Sequence, residues 1–412
     1  MGLAQRLPPD ARALSTISTK KRVVALMEGG GNLVKARCII GLILAATLMG
    51  CATGTPVTLQ IGAPAPGFSL AGVDGKVHAL SDYASSPVLV VVFTCNHCPA
   101  AQLYEQRIKR LSADYRARGV AVVAINPDSE KTIAVSDLSY SDVPDTLEGM
   151  KVRAAYRQFD YPYLYDGDSQ TAARAFRVVA LPQVFVFDAQ RTLRYVGRID
   201  DHVQADRVTS SDARLAIDAV LAQRDVRTAT TIVQGCPMTW LGETAAVQQQ
   251  AAELAAAPVR LELIGAPDLA ALRRNGTRNL MMVNFWATWC APCIIEFPEL
   301  QTTYRMYRSR NLEFVTVSTD SPDAKASVVK LLQEQRASSR NHLFGSDDTA
   351  ALQDAFDRAM PAAVPFTLLL APGGDVVHQQ LGEADFPSLR RAILANLPDD
   401  PRYPGLRAYW AE

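Results

Sequence analysis

The feature that most constrains this chain is a pattern it carries twice. "VVVFTCNHCPAAQLYEQRI" runs from Val90 to Ile108, and "MMVNFWATWCAPCIIEFPEL" runs from Met281 to Leu300. Each begins as a continuous apolar run, the mark of a strand covered on both faces, then reads Cys-x-x-Cys, then continues with helical spacing. A second strand of the same kind follows each helix, "GVAVVAIN" from Gly119 and "NLEFVTVS" from Asn311. Strand, helix, strand is the parallel βαβ unit. Further on, "ALPQVFVFDAQRTLRYVG" (from Ala180) and "AVPFTLLLAPGGDVVHQQLG" (from Ala363) match as two strands joined by a turn. An amphipathic helix after Asp212 matches a last one after Phe386. The chain reads as an α/β tandem repeat of one fold, and 412 residues suit two such domains. The expected segments are an N-terminal extension and leader over 1–51, a first repeat over 57–245, an Ala/Gln-rich linker over 246–257, a second repeat over 258–398 and a tail over 399–412. The first repeat is longer, with a polar insertion from Pro127 to about Tyr165.

A Cys-x-x-Cys where a strand hands over to a helix puts its first sulfur at the helix N-terminus. Unpaired N–H groups and the positive end of the dipole favour a thiolate there. Cys95 and Cys290 are therefore the expected nucleophiles, and Cys98 and Cys293 the resolving thiols. A zinc knuckle would bring its second pair about 15–20 residues later. Here the pairs stand 195 residues apart, each inside its own βαβ unit. The five histidines are scattered, so no His-based metal cluster is visible in the sequence, and no cofactor is expected beyond redox-active disulfides. A structural disulfide and a copper site are the competing readings of the cysteine pairs. Cys236 stays open: a partner for Cys95, an acceptor in relay, or an inert buried thiol. Leu181-Pro182 and Val364-Pro365 open matching strands. A proline at that place fits a cis bond that presents the preceding backbone to a substrate chain.

Through "NFWATWCAPCIIEFPEL" and "VPFTLLLAPGGDVV", residues 258–398 resemble the TlpA/ResA-like branch of the thioredoxin superfamily. The resemblance implies that Glu296, three residues after the second cysteine, serves as an acid beside the thiols. One turn from Cys293, a carboxyl can take or give the resolving proton. Through "FTCNHCP", "YLYDGDSQTAARAF", "VGRIDD" and "GCPMTW", residues 57–245 resemble AhpC/TSA-type redoxins. This repeat departs from that pattern at Leu181, where the family often has threonine, and has Ala101 where the second repeat has Glu296. His97 sits between its cysteines instead, where a charged imidazole stabilises a thiolate and makes a disulfide more oxidising. The first disulfide is thus expected to be more oxidising than the second. Trp289 reads as a surface contact for a substrate chain and Trp286 as core. The resemblances imply two tandem thioredoxin-like domains, each a central mixed sheet flanked by helices.

Near the N-terminus, "LVKARCIIGLILAATLMGC" places Lys35 and Arg37 before an apolar run from Cys38 to Gly50. That is the layout of a secretory signal, and shorter than the roughly 20 residues of a membrane span. "LMGC" resembles a bacterial lipobox, which implies lipidation of Cys51; a cleaved signal or an uncleaved anchor are the alternatives. A start at Met27 would give a conventional signal length. Disulfides persist outside the cytoplasm. Lys plus Arg and Asp plus Glu number 42 each, so no basic field exists to hold nucleic acid. The expected function is a membrane-attached, periplasmic or outward-facing thiol–disulfide oxidoreductase. Its partners would be cysteine-containing envelope proteins, in cytochrome or metalloprotein maturation, with a membrane thiol as electron donor. A thiol peroxidase is an alternative, although Thr94 directly precedes Cys95 and no T-x-x-C is present there. A non-catalytic thiol or copper carrier is another.

Overall fold

The computed structural model describes residues 58–412; the leader-like segment, Met27 and Cys51 lie outside them. The first repeat supplies β1 (Ser69–Gly72), β2 (Val77–Ala79), β3 (Leu89–Phe93), β4 (Ala121–Asn126), β5 (Tyr163–Tyr165), β6 (Ala180–Leu181), β7 (Gln183–Phe187), β8 (Leu193–Gly197) and β9 (Cys236–Pro237). The second supplies β10 (Glu262–Ile264), β11 (Leu280–Trp286), β12 (Leu312–Ser318), β13 (Arg340–Phe344), β14 (Phe366–Leu370) and β15 (Val376–Leu381).

The two large sheets run β2-β1-β5-β4-β3-β7-β8 and β10-β13-β12-β11-β14-β15. Each has the same middle. β3 pairs parallel with β4 and antiparallel with β7; β11 pairs parallel with β12 and antiparallel with β14. Both sheets are mixed, and helices cover their faces. Strand β3 is wholly buried, as its β-branched run requires. Leu89, Val91 and Phe93 enter one apolar layer, while Val88, Val90 and Val92 enter the other. In β11, Met281, Val283 and Phe285 divide from Leu280 and Met282 in the same way.

A helix follows each Cys-x-x-Cys: the first cysteine helix, Pro99–Arg116, and the second, Ala291–Tyr307. The stretch 246–257, expected as a linker or linker helix, is the helix Ala245–Ala256. The stretch 399–412, expected as a tail, contains the helix Leu406–Ala411 with Leu406, Tyr409 and Trp410 buried. β10 and β13 were not legible as strands. Both are short or interrupted by polar residues, and they take their order from parallel pairing to each other and to β12.

The polar insertion is not a solvated excursion. Tyr140 packs into the second repeat's core with Leu300, Tyr307 and Trp410. Asp142 accepts from Arg153 at 2.6 Å and from Arg391 at 2.9 Å, bridging the repeats. The Tyr307 hydroxyl donates to the Ser141 carbonyl, and the Tyr409 hydroxyl to Glu105. Among the described residues no helix is long and apolar enough to cross a membrane.

Candidate functional site

In the second repeat the sequence reading meets the geometry directly. Pro292 lies between the cysteines. Proline suits the first helical turn because its missing N–H would be unpaired there anyway. The helix therefore starts at Ala291, and Cys290 is its N-cap. The Cys290 sulfur accepts from the Cys293 N–H at 3.3 Å, and the two sulfurs are joined as a disulfide. Cys290 keeps a 5% exposed edge, whereas Cys293 is 1% exposed. The cis bond Val364-Pro365 opens β14, which pairs with β11 just before the motif. Trp286 is fully buried, while Trp289 is 70% exposed and Ile295 74%. Two large apolar side chains within two residues of the cysteines in the chain thus stand in solvent.

Glu296 lies one turn beyond Cys293 and is 3% exposed. Its carboxylate accepts from the Ala384 N–H at 3.0 Å and from Asn284 Nδ2 at 3.4 Å. Burial pushes its pKa up to about 7, against these two hydrogen bonds. A carboxyl poised near neutrality one turn from Cys293 is suited to proton transfer once the disulfide is reduced.

The first repeat departs from the reading. Its proline, Pro99, follows the second cysteine, so the helix starts there and Cys98 becomes the N-cap. Cys95 lies three residues earlier, in the loop, away from the helix terminus. It was expected as a low-pKa nucleophile paired with Cys98. Instead Cys98 is bonded to Cys236, and Cys95 is the one free cysteine among the described residues. Cys95 and Cys98 are 2% and 0% exposed. Burial pushes the Cys95 thiol up to about 12, with His97 offsetting only part of the cost. A buried thiol in the loop before the helix lacks the acidity expected of a sulfur at the helix N-terminus.

Cys236 reaches Cys98 by a backbone route. β9 pairs antiparallel with β6, with Cys236 opposite Leu181 and Pro237 opposite Ala180. Leu181 precedes the cis bond to Pro182, and the Cys98 sulfur lies 3.9 Å from the Leu181 carbonyl oxygen. Leu181 and Pro182 were expected to receive a substrate chain as an added strand. That edge is taken by the protein's own residues 236–237. Gly235 makes the approach possible, since a Cβ there would lie 1.8 Å from the Leu181 carbonyl oxygen.

His97 faces acidic partners. Its Nδ1 donates to Asp145 Oδ2 at 2.6 Å and stands 3.5 Å from Asp128 Oδ2. Asp145 also accepts from the Asn96 N–H at 2.6 Å and from Asn126 Nδ2 at 2.8 Å. Burial opposes a charged imidazole, but the surrounding negative groups outweigh it and hold His97 well above the usual histidine range. Burial likewise opposes charge on Asp145, and the His97 cation with the two amide donors holds it low. Asp128 is pushed up to about 6, burial winning over His97. The expected tuning of a Cys95–Cys98 disulfide by His97 therefore has no such bridge to act on. Sequence reasoning missed Asp128 and Asp145, which stand 31 and 48 residues from His97 in the chain. It also treated all histidines as scattered.

Two family models match. The AhpC/TSA family covers residues 61–196 and Redoxin covers residues 268–393. Cys236 lies outside both. The thiol-disulfide oxidoreductase ResA of Bacillus subtilis (strain 168) is 31% identical over 102 residues, 25% of this chain and 52% of that protein. The thiol:disulfide interchange protein HelX of Rhodobacter capsulatus is 52% identical over 44 residues, 10% of this chain and 24% of that one. A crystal structure of a hypothetical protein from Sinorhizobium meliloti 1021 is 32% identical, with a TM-score of 0.40, over 45% of this chain and 97% of that one. The chain spans from about a fifth to about half of the length of the first curated relatives it matches. With the repeated sheet order and the two matched segments together, the chain carries an AhpC/TSA family domain followed in tandem by a Redoxin domain.

Proposed function

We propose that this protein is a thiol–disulfide oxidoreductase acting on cysteine-containing proteins, with Cys290 and Cys293 as its working couple. The observation that carries this reading is the disulfide at the N-terminus of the second cysteine helix, beside a cis proline and flanked by exposed Trp289 and Ile295. In the reduced form the Cys290 thiolate attacks a substrate disulfide. A Cys290–substrate bond forms, and the other substrate sulfur leaves as a thiolate. Cys293 gives its proton to Glu296 and attacks the Cys290 sulfur, closing the disulfide and releasing the reduced substrate. The two electrons must then be restored by a dithiol donor; a membrane thiol carrier fills that role in this reading. Val364, Pro365 and Trp289 would receive the substrate backbone and its apolar side chains.

Action on envelope proteins, including cytochrome or metalloprotein precursors, belongs to the same proposal. Its support is the leader-like sequence ending at Cys51 and the likeness to named disulfide-exchange proteins. The thiol peroxidase alternative loses ground, because Cys95 is buried and its thiol is held protonated. Cys290→Ser should abolish reduction of insulin disulfides. Cys293→Ser should trap mixed disulfides whose bound partners are cysteine-containing proteins. Unchanged insulin reduction by Cys290→Ser would overturn the assignment.

A further inference from the structure

We propose that Cys95, His97, Asp128 and Asp145 form a binding site for a divalent first-row transition ion, with Zn2+ the ion that fits best. The donors come from separate segments: the loop between β3 and the first cysteine helix, the turn after β4 where the polar insertion begins, and the middle of that insertion. The fold nevertheless brings one sulfur, one ring nitrogen and two carboxylate oxygens within 4.8 Å of one another. Tetrahedral zinc with bonds of about 2.0–2.3 Å places its donors roughly 3.3–3.8 Å apart. The set therefore stands within about an ångström of closure.

The donor types select the ion. Sulfur and imidazole disfavour Mg2+ and Ca2+, which take oxygen shells, and favour zinc and its neighbours. The surroundings are those of a held ligand set. Asp145 Oδ1 is occupied by the Asn96 N–H and by Asn126 Nδ2, which leaves Oδ2 turned towards His97. Asn96 is itself fixed, its Oδ1 accepting from the Tyr163 hydroxyl at 3.0 Å and its Nδ2 donating to the Pro144 carbonyl at 3.1 Å. Asn126 Oδ1 accepts from the Asp128 N–H at 3.0 Å, tying the second carboxylate to the same frame. Such outer partners orient metal ligands and set their basicity.

Charge points the same way. Two buried carboxylates face a single imidazole, and among the described residues His97 is the only cationic partner of either within 4.0 Å. An ion entering between them replaces the protons on the imidazole and the thiol. The His97 side chain, 13% exposed, marks the side of entry, since the other three are nearly closed off. The site is separate from the Cys290–Cys293 couple and does not depend on the exchange reaction.

The test uses the full, oxidised protein, with Co2+ as a spectroscopic stand-in for Zn2+. One Co2+ per chain should bind after dialysis, with the visible bands of a tetrahedral ion and a near-ultraviolet thiolate-to-cobalt band. Zn2+ should displace it. Cys95→Ser, nearly isosteric, should lose the thiolate band, and Asp145→Asn should weaken binding by about tenfold or more. A Cys290→Ser/Cys293→Ser double variant should keep both bands and the stoichiometry. Should the Asp145 variant fail to fold, the wild-type protein alone decides: a zinc-dependent rise in unfolding temperature, reversed by a chelator, supports the site. No retained Co2+ in the wild-type protein, or a thiolate band that survives Cys95→Ser, would overturn it.

Discussion

Glu296 is a carboxyl set into an apolar wall one turn beyond a reactive sulfur, and its proton affinity follows from that placement. Because burial raises its pKa to about 7, the native state binds a proton between the ordinary carboxylate range and neutrality that the unfolded chain does not. Its contribution to stability is therefore best at low pH and declines as pH rises through that window. Glu296→Gln should flatten this dependence, unfolding at a higher temperature than the wild type at pH 8 and at a similar one near pH 4. The same variant should slow resolution of the mixed disulfide by about a hundredfold and remove the inflection near pH 7 from its pH–rate profile. Stopped-flow measurement of substrate release reads both effects. A rate that kept the inflection would move the proton-transfer role to another group.

Among the elements, the two cysteine helices carry the main lesson about what sequence shows. The central strands, both helices, the cis prolines and the Cys290–Cys293 couple were legible, because periodicity and motif spacing are local properties; β9, β10 and β13 were not. The offset between the repeats was also written in the chain, in "CNHCP" against "CAPC". A proline after the second cysteine starts the helix three residues later relative to the motif than a proline between the two. Reading that difference would have moved the helix terminus from Cys95 to Cys98. The pairing of Cys98 with Cys236 was not legible, since it joins residues 138 apart through a two-residue strand. Nor was the convergence of Asp128 and Asp145 on His97, which depends on two further loops. The self-docked strand makes a sharp prediction. Gly235→Ala should unseat β9, because the new methyl meets backbone, whereas Gly276→Ala meets nothing within 4 Å and should be neutral. Thiol counting and peptide mapping of non-reduced protein should show the Cys98–Cys236 bridge lost in the first variant and retained in the second.

At the scale of the molecule, the repeats are joined through the buried Asp142, which Arg391 reaches from the second repeat at 2.9 Å and Arg153 from the first. Arg153 is fully buried and donates to Asp142, to Glu105 at 2.9 Å and to the Ser141 hydroxyl at 3.0 Å. Removing one member of such a group strands the others without water. Arg153→Met should cost about 3–5 kcal/mol of folding stability, measured by denaturant unfolding. A change under 1 kcal/mol would mean that solvent replaces the guanidinium. The insertion is the reason the joint is so demanding. Tyr140 lodges in the second repeat, Asp142 spans both, and Asp145 anchors the His97 ring, all within six residues of chain. A cut through the helix Ala245–Ala256, the obvious place to divide a duplicated protein, would therefore yield two wounded fragments. One would expose a bare ring and an orphaned acid, and the other an unroofed floor of leucine and aromatic surface. Two repeats of one architecture are turned by this strap of chain into a single indivisible body.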